Sequence, residues 1–313
     1  MTGGTGFVGR ALMAQLAAQE SFEVLALTRQ SPTDPVPGVA YLAAGDLNSQ
    51  RQWQPMLAGV DTLVHTAARV HILNDTTVES LAEFQRVNVE GTLELAKQAA
   101  ALGVRRFVFI SSIGVNGVQT EAGTAFSETD QPNPHNAYAL SKLKAERGLR
   151  QLAEQTSLEV VVIRPPLVYG PGVRANFAAL MRAVRRGWPL PLGAVRNLRS
   201  MVAIDNLIDF IITCIAHPLA ANQTFLVSDG HDVSSADLVR GLARAAGVTP
   251  RLVPVPPWVL WAAAGVLGKG DVIQRLCGSL RVDISKAQTL LAWVPQVSVD
   301  EGLRRTVLGM EKP

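Results

Sequence analysis

The first nine residues constrain the fold of this chain most strongly. Gly3, Gly6 and Gly9 recur at every third position, and a run of strong helix formers follows directly at residues 10–18. Glycine allows a tight turn and a close approach of the backbone to a ligand. A helix N-terminus adds unpaired N–H groups and a partial positive charge. We therefore predict that this stretch binds a pyrophosphate, the alternative being a glycine-rich turn that caps an ordinary helix.

Short apolar runs alternate with helical patterns over the next 150 residues or so. Runs of this kind are typical of strands buried on both faces of a parallel sheet, and right-handed crossovers make such a sheet doubly wound. The predicted strands are residues 23–29, 39–43, 61–68, 106–112 and 158–164, and the longest predicted helices are residues 78–102 and 137–154. The pattern predicts an α/β fold with a Rossmann-like, doubly wound parallel sheet.

The beginning of the chain departs from this pattern. A glycine fingerprint of this type should follow a strand, but only Met1 precedes it. The first strand of the predicted sheet is therefore missing from the sequence, and we expect a few apolar, strand-like residues to precede Met1 in the natural protein.

The regular alternation ends near Pro165, where a segment rich in proline and glycine begins. We assign residues 1–165 to a Rossmann domain, to which residues 199–227 return. Residues 166–198 and 228–313 are predicted to form a smaller C-terminal α/β lobe that binds the substrate.

Composition excludes several classes of protein. The net charge of +3 comes from interspersed charges, without the basic block that nucleic-acid binding requires. Cys214 and Cys277 are far apart, and no Cys/His cluster predicts a metal, so we expect a reduced, cytoplasmic protein without a signal peptide. The longest apolar run, residues 253–267, contains three prolines and is too short to span a membrane. We interpret residues 258–267 as a buried or groove-lining helix, with membrane contact as the lesser alternative.

Tyr138 and Lys142 lie four residues apart in a predicted helix and therefore share one face. A phenol ordinarily ionises at about pH 10, and a neighbouring ammonium favours the phenolate, so that Tyr138 could exchange a proton at neutral pH. Ser112 closes the preceding strand and could hold the same substrate oxygen. The spacing alone is common, and a tyrosine that simply packs is the alternative. The order of these motifs along the chain, with the glycine-rich turn first, then the strands, Ser112, Tyr138 and Lys142, favours a catalytic role for Tyr138.

In this order the motifs resemble the extended short-chain dehydrogenase/reductases, in their nucleotide-sugar epimerase/dehydratase branch. The resemblance covers essentially the whole chain. The matching segments are residues 2–9 (TGxxGxxG), 45–47, 65–68 (HxAA), 88–92 (NVxGT), 111–117 (SSxxxxG) and 164–172 (RPxxVYGPG). Within the family, residues 276–287 are most similar to bacterial 4-epimerases and 4-keto reductases of surface-polysaccharide clusters.

The resemblance implies a role for each matching residue. The implied catalytic residues are Ser112, Tyr138 and Lys142. The residues implied to bind an NAD(P) cofactor are Gly3, Thr5, Gly6, Phe7, Val8, Asp46, Leu47, His65, Ala67, Ala68, Tyr138, Lys142 and Pro165. Arg29 is a further cofactor candidate, which does not follow from the family pattern. The residues implied to bind the substrate are Ser112, Asn176 and Arg199. Arg281 is a further candidate that could contact a phosphate, the alternative being an ordinary surface arginine.

Arg29 and the dipeptide Ile113-Gly114 depart from the family pattern and refine the expected chemistry. Arg29 follows the second predicted strand, where NAD-preferring members carry an acidic residue, and an arginine can pair with the 2′-phosphate of NADP. We therefore favour NADP(H) over NAD(H), the alternative being a solvent-facing Arg29 stacked on adenine. Ile113 and Gly114 stand where dehydratases place an Asp-Glu pair, so dehydration is not expected.

The resemblance thus implies an NAD(P)-dependent oxidoreductase that transfers hydride at C4 of a nucleotide sugar, most simply one linked to UDP. Arg29 slightly favours a 4-keto-sugar reductase. The alternatives are a UDP-sugar 4-epimerase, a reductase of a ketone without a nucleotide, and a non-catalytic NADP-sensing protein. The family also implies a homodimer, and we expect neither a nucleic-acid partner nor a membrane span.

Overall fold

The computed structural model describes residues 1–48, 50–69, 78–266, 268 and 270–309. The strands are β1 (Val24–Thr28), β2 (Val39–Ala43), β3 (Thr62–His65), β4 (Arg106–Ile110), β5 (Glu159–Arg164), β6 (Leu167–Tyr169), β7 (Met201–Ala203) and β8 (Thr224–Leu226). The helices are α1 (Phe7–Ala17), α2 (Gln54–Leu57), α3 (Val78–Phe84), α4 (Thr92–Ala101), α5 (Ala137–Gln155), α6 (Ala175–Arg185), α7 (Ile204–Ala216), α8 (Ser235–Ala245), α9 (Pro257–Val266), α10 (Gly270–Cys277), α11 (Ser285–Leu291) and α12 (Val299–Gly309).

The main sheet is parallel throughout. Strand β1 pairs with β2, and the order β3-β4-β5-β8 forms the other part. Thr2 joins the two parts, because it makes parallel bridges to both Leu27 and His65. The position of the expected first strand, between β1 and β3, is thus held by Met1 and Thr2.

Alternate residues of the buried strands face two separate cores. In β4, Val108 packs with α1 and α7 on one face, whereas Phe107 and Phe109 pack with α4 and α5 on the other. Fully buried strands of a parallel sheet need helices on both faces, and this chain supplies them. The predicted doubly wound, Rossmann-like fold is confirmed.

The C-terminal part of the chain surrounds a third core, which α6, α8 and α12 share. Strand β8 returns from this part to the main sheet beside β5, and the short pair β6–β7 lies between the two regions in sequence. The domain boundaries given above remain a prediction.

Two expectations about helices need correction. The predicted continuous helix over residues 78–102 is divided into α3, a π-helix (Gln85–Gly91) and α4. Helix α9 covers most of residues 258–267, but it buries only Leu260 and Ala264, so the interpretation as a buried helix is wrong. No helix in the described part of the chain is long and apolar enough to cross a membrane.

Candidate active site

The glycine-rich turn lies at the carboxyl ends of the strands and leads directly into α1. Gly3 adopts φ +75°, and its carbonyl accepts a 3.0 Å hydrogen bond from the Gly6 N–H group. A Cβ on Gly9 would collide with the Gly3 carbonyl, and a Cβ on Gly3 would collide with the backbone of Ala67. Side chains are therefore excluded here by backbone conformation and by close packing.

A cavity of about 510 Å³ opens above this turn. The predicted cofactor residues that line it are Gly3, Thr5, Gly6, Arg29, Asp46, Leu47, Ala67 and Ala68. Phe7 and Val8 form the first turn of α1, where Gly6 offers no side chain to cap the free N–H groups. Pro165 follows β5, and its carbonyl accepts a 3.0 Å hydrogen bond from the Ile113 N–H group.

The cavity wall also holds a polar group that sequence reasoning missed. Trp53 lines the cavity, and its buried Nε1 finds no hydrogen-bond partner among the described residues. An unsatisfied buried donor is costly unless a ligand or water supplies an acceptor. Together with the side-chain-free turn and the uncapped start of α1, this donor fits a ligand that carries both phosphates and polar heteroatoms, such as a dinucleotide.

The reactive side chains meet where β4 ends. The Lys142 ammonium donates a 2.7 Å hydrogen bond to the Ile110 carbonyl, which attaches α5 to the strand two residues before Ser112. Its Nζ lies 5.9 Å from the centre of the Tyr138 ring. Ser112 accepts a 3.1 Å hydrogen bond from the Gly114 N–H group, which fixes its hydroxyl at the start of a short 3-10 turn.

Burial favours the neutral form of both residues in the predicted pair, Tyr138 and Lys142, and so shifts their pKa values in opposite directions. Desolvation raises the pKa of the half-buried Tyr138 phenol to about 12. The same effect lowers the pKa of Lys142 to about 7, while the nearby Glu146 carboxylate acts in the opposite direction. In the protein by itself Tyr138 is therefore a neutral phenol, which needs additional positive charge nearby before it can act as a base at neutral pH.

The π-helix contacts the part of α5 that carries Tyr138 and Lys142 through hydrogen bonds. Its Asn88 accepts a 2.8 Å hydrogen bond from the Arg69 N–H group and donates a 3.0 Å bond to the Ser141 hydroxyl. Ser141 in turn donates to the Tyr138 carbonyl at 2.7 Å. A π-helical turn at this point is consistent with the frequent use of such turns at functional sites.

The predicted substrate residues lie in different surroundings. Asn176 is exposed in the first turn of α6. The pKa of the half-buried Arg199 guanidinium is lowered, first by burial and second by the positive charge of Arg275. Arg281 donates from Nε to Asp232 over 2.7 Å and is held in an ion pair. Arg275, which no sequence spacing relates to Arg199, is thus the cation that accompanies it.

Comparison with known proteins decides the family. Residues 1–228 match the model of the NAD dependent epimerase/dehydratase family. The chain is also 46% identical to a UDP-glucose 4-epimerase of Vibrio cholerae, over 98% of this chain and 93% of that protein. The protein belongs to the NAD-dependent epimerase/dehydratase family. The resemblance to extended short-chain dehydrogenase/reductases is thereby confirmed.

Solved structures share the fold of this chain. The protein MoeE5 in complex with UDP-glucose and NAD superposes with a TM-score of 0.78 at 26% identity, covering 99% of this chain and 97% of that one. MoeE5 in complex with UDP-glucuronic acid and NAD gives a TM-score of 0.79 at 25% identity, covering 99% and 98%. Both complexes hold NAD, so the family comparison supports an NAD-type cofactor without showing a preference for NADP.

His65 occupies a buried position in this family member. Its ring nitrogens share hydrogen bonds with the hydroxyls of Thr2 (2.6 Å from Nδ1) and Thr92 (3.0 Å from Nε2), and its ring stacks on Phe109. Burial lowers its pKa to about 3, with smaller effects in the same direction from neighbouring positive charges such as Lys142. Any role of His65 in cofactor binding would therefore be indirect, through its hydrogen bond to Thr2, which lines the cavity.

We expect His65 to make the protein sensitive to acid. An unfolded chain binds a proton at His65 below about pH 6.5, whereas the folded protein does not until about pH 3. Folding stability should therefore fall by about 1.4 kcal/mol per pH unit as the pH drops below 6.5. Urea unfolding between pH 7.5 and pH 5 measures this slope. His65→Gln should flatten it, whereas His135→Gln, at an exposed position, should not. An unchanged slope in His65→Gln would contradict the assignment.

Proposed function

We propose that the protein is a UDP-sugar 4-epimerase that keeps its nicotinamide cofactor bound through the catalytic cycle. The observation that carries the proposal is the attachment of Lys142 to the end of β4, which places its ammonium 5.9 Å from the centre of the Tyr138 ring and holds both residues close to the strand end that Ser112 follows. The similarity to a UDP-glucose 4-epimerase over nearly the full length of both proteins supports epimerisation over net reduction. The slight preference for a reductase drawn from Arg29 finds no such support.

The residues of the chain have distinct tasks in this proposal. When bound, an oxidised nicotinamide dinucleotide accepts and returns hydride and adds a positive charge to the site. Tyr138 takes the proton of the sugar 4-hydroxyl and later returns one to the same oxygen. The Lys142 ammonium favours the phenolate, and the Ser112 hydroxyl holds the sugar oxygen by a hydrogen bond.

A diphosphate would complete the recognition of the substrate. Arg199 and Arg275 are close enough for their charges to repel, and burial makes the Arg199 guanidinium costly to keep charged. An anion bound beside Arg199 would relieve both penalties. This pair supports a nucleotide-linked sugar over a ketone without a nucleotide, and the complete set of Ser112, Tyr138 and Lys142 argues against a non-catalytic sensor.

The second candidate is an NADP(H)-dependent 4-keto-sugar reductase. Arg29 favours it, because this exposed guanidinium lines the cavity immediately after β1. An arginine there can pair with a 2′-phosphate, which NADP carries and NAD lacks. The two candidates use the same reactive residues and differ in whether the cofactor stays bound.

The fate of the cofactor separates the two candidates. We expect the purified protein, once denatured, to release NAD in nearly equimolar amount, and the native protein to interconvert UDP-glucose and UDP-galactose without net change in absorbance of added NADPH. Protein purified without nucleotide that consumes NADPH with a UDP-linked 4-keto sugar would establish the reductase instead. Turnover of simple ketones with no response to any UDP-sugar would reject both candidates.

The remaining assignments follow from the same proposal. Both cysteines, Cys214 and Cys277, are free thiols, which suits the reducing cytoplasm that also supplies nucleotide sugars. We retain the homodimer and the division into a Rossmann domain and a substrate lobe as parts of the proposal.

A further inference from the structure

Helix α9 is apolar on every side but is packed on one side only. Of its ten residues, Leu260 and Ala264 are buried, and these lie one turn apart on a single edge. Trp258 is 72% exposed, Trp261 44% and Val266 88%. A helix that is hydrophobic all round is normally enclosed by other elements, and an exposed apolar surface of this kind marks a site of interaction.

Basic and aromatic side chains lie on the segment that leads into this helix and on the segment that pairs with it. The Arg186 guanidinium stacks 5.5 Å above the ring of Trp188, which is 55% exposed. The exposed Arg251 lies beside Gly187. Main-chain hydrogen bonds at Leu190 join the two segments, because Leu190 donates to the Arg251 carbonyl and accepts from the Val253 N–H group. Only residues 252–256 separate Arg251 from the start of α9.

The arginines of this surface have no acidic residue close to them in sequence. Residues 186–190 and 251–261 contain Arg186 and Arg251 and no Asp or Glu. The surface formed by Arg186, Trp188, Arg251, Trp258 and Trp261, which we call the Trp–Arg surface, therefore combines exposed indole rings with cations.

We propose that the Trp–Arg surface docks the protein onto a lipid bilayer that contains anionic headgroups, with α9 lying in the interface. Indole rings concentrate at the boundary between headgroups and acyl chains, and arginines near a surface are attracted to anionic lipids. At ten residues, α9 is too short to span the bilayer but suited to lie in its surface.

Charge makes a second copy of this chain a poorer occupant than a bilayer. A symmetric contact would bring the same surface of both copies together, so that Arg186 and Arg251 would face arginines of the partner. Like charges brought together in an interface are unfavourable. An anionic headgroup layer supplies opposite charge to all these cations at once.

Vesicle binding tests the proposal with the full-length protein. The probes are sedimenting vesicles of phosphatidylcholine alone and of phosphatidylcholine mixed in equal parts with phosphatidylglycerol. We expect binding to the mixed vesicles, much weaker binding to phosphatidylcholine alone, and loss of binding as salt is raised. Trp258→Ser combined with Trp261→Ser should weaken binding to the mixed vesicles by about tenfold or more. Arg186→Glu combined with Arg251→Glu should abolish the preference for anionic lipid.

Leu219→Ser provides the matched control, because Leu219 is an apolar residue with 54% exposure in the turn that follows α7. It should bind vesicles like the unaltered protein, and circular dichroism should show that every variant is folded. Absence of binding to both vesicle types would overturn the proposal, as would equal binding by the tryptophan variant. Concentration-dependent self-association that the tryptophan substitutions remove, without vesicle binding, would show that a second copy occupies the surface. None of these outcomes depends on the reaction that the enzyme catalyses.

Discussion

Replacing Tyr138 with phenylalanine is expected to lower kcat by a factor of about 10²–10⁴, the contribution typical of a positioned acid or base. The substitution removes one oxygen and retains the ring, which packs edge-on against Phe84 with centroids 6.4 Å apart. Lys142 keeps its hydrogen bond to the Ile110 carbonyl, because that bond does not involve the phenol. The loss should therefore appear in kcat, with KM and the amount of retained nucleotide little changed.

Tyr41→Phe is the matched control for this experiment. Its hydroxyl accepts a hydrogen bond from the Val36 N–H group at the edge strand β2, outside the cavity. This variant should lose no more than about 1 kcal/mol of stability and should keep its turnover. If Tyr138→Phe retained turnover within a few-fold of the unaltered protein, Tyr138 would have no role in proton transfer.

The fold was predictable from sequence where burial is continuous. The predicted strand over residues 158–164 is observed as β5 (Glu159–Arg164), and the predicted helix over residues 137–154 as α5 (Ala137–Gln155). Five consecutive buried positions in β4 have one explanation, a strand covered on both faces. Once the strands are known, the rule that ligands bind beyond their carboxyl ends places the glycine turn and Ser112 on the same edge.

Features that depend on tertiary contact were not predictable. The exposure of α9 could not be predicted, because an apolar segment has the same sequence pattern whether other elements bury it or leave it exposed to solvent. The proximity of Arg275 to Arg199 arises because Arg199 bridges Leu280 in a short pairing. The unsatisfied nitrogen of Trp53 likewise appears only when the cavity wall is assembled.

The clearest feature of this kind is a buried ion pair one turn beyond Lys142. Glu146 and Arg164 are both almost completely inaccessible to solvent, and two hydrogen bonds of 3.0 and 2.6 Å join them. Arg164 also donates to Asn116 at 2.9 Å, and Ser111 donates to the Glu146 carboxylate. The pair thereby connects α5, the end of β4 and the 3-10 turn that starts at Ser112.

Arg164→Met should destabilise the protein by about 3–5 kcal/mol, because it leaves the buried Glu146 carboxylate with the neutral Ser111 hydroxyl and, as its charged partner, only the half-exposed Arg150 at 3.2 Å. Glu146→Gln should lower the free energy of unfolding by a similar amount, since it leaves the buried Arg164 guanidinium without its carboxylate partner. The double variant should lose clearly less than the sum of the two, because an apolar or neutral replacement of both partners removes the unpaired charge. Urea unfolding at pH 7.5 gives all three values.

Arg244→Met offers the corresponding surface comparison, because its 2.8 Å pair with Asp300 is 64% and 76% exposed. Exposed pairs contribute at most about 1 kcal/mol to stability. A loss of only that size in Arg164→Met would show that the buried pair contributes no more than an exposed one. An additive double variant would show that Glu146 and Arg164 act independently. A double variant that loses less than the sum would instead show that the two residues are coupled. Because Glu146 follows Lys142 by one turn of α5, the ion pair would then stabilise the same helix that holds Lys142 against β4.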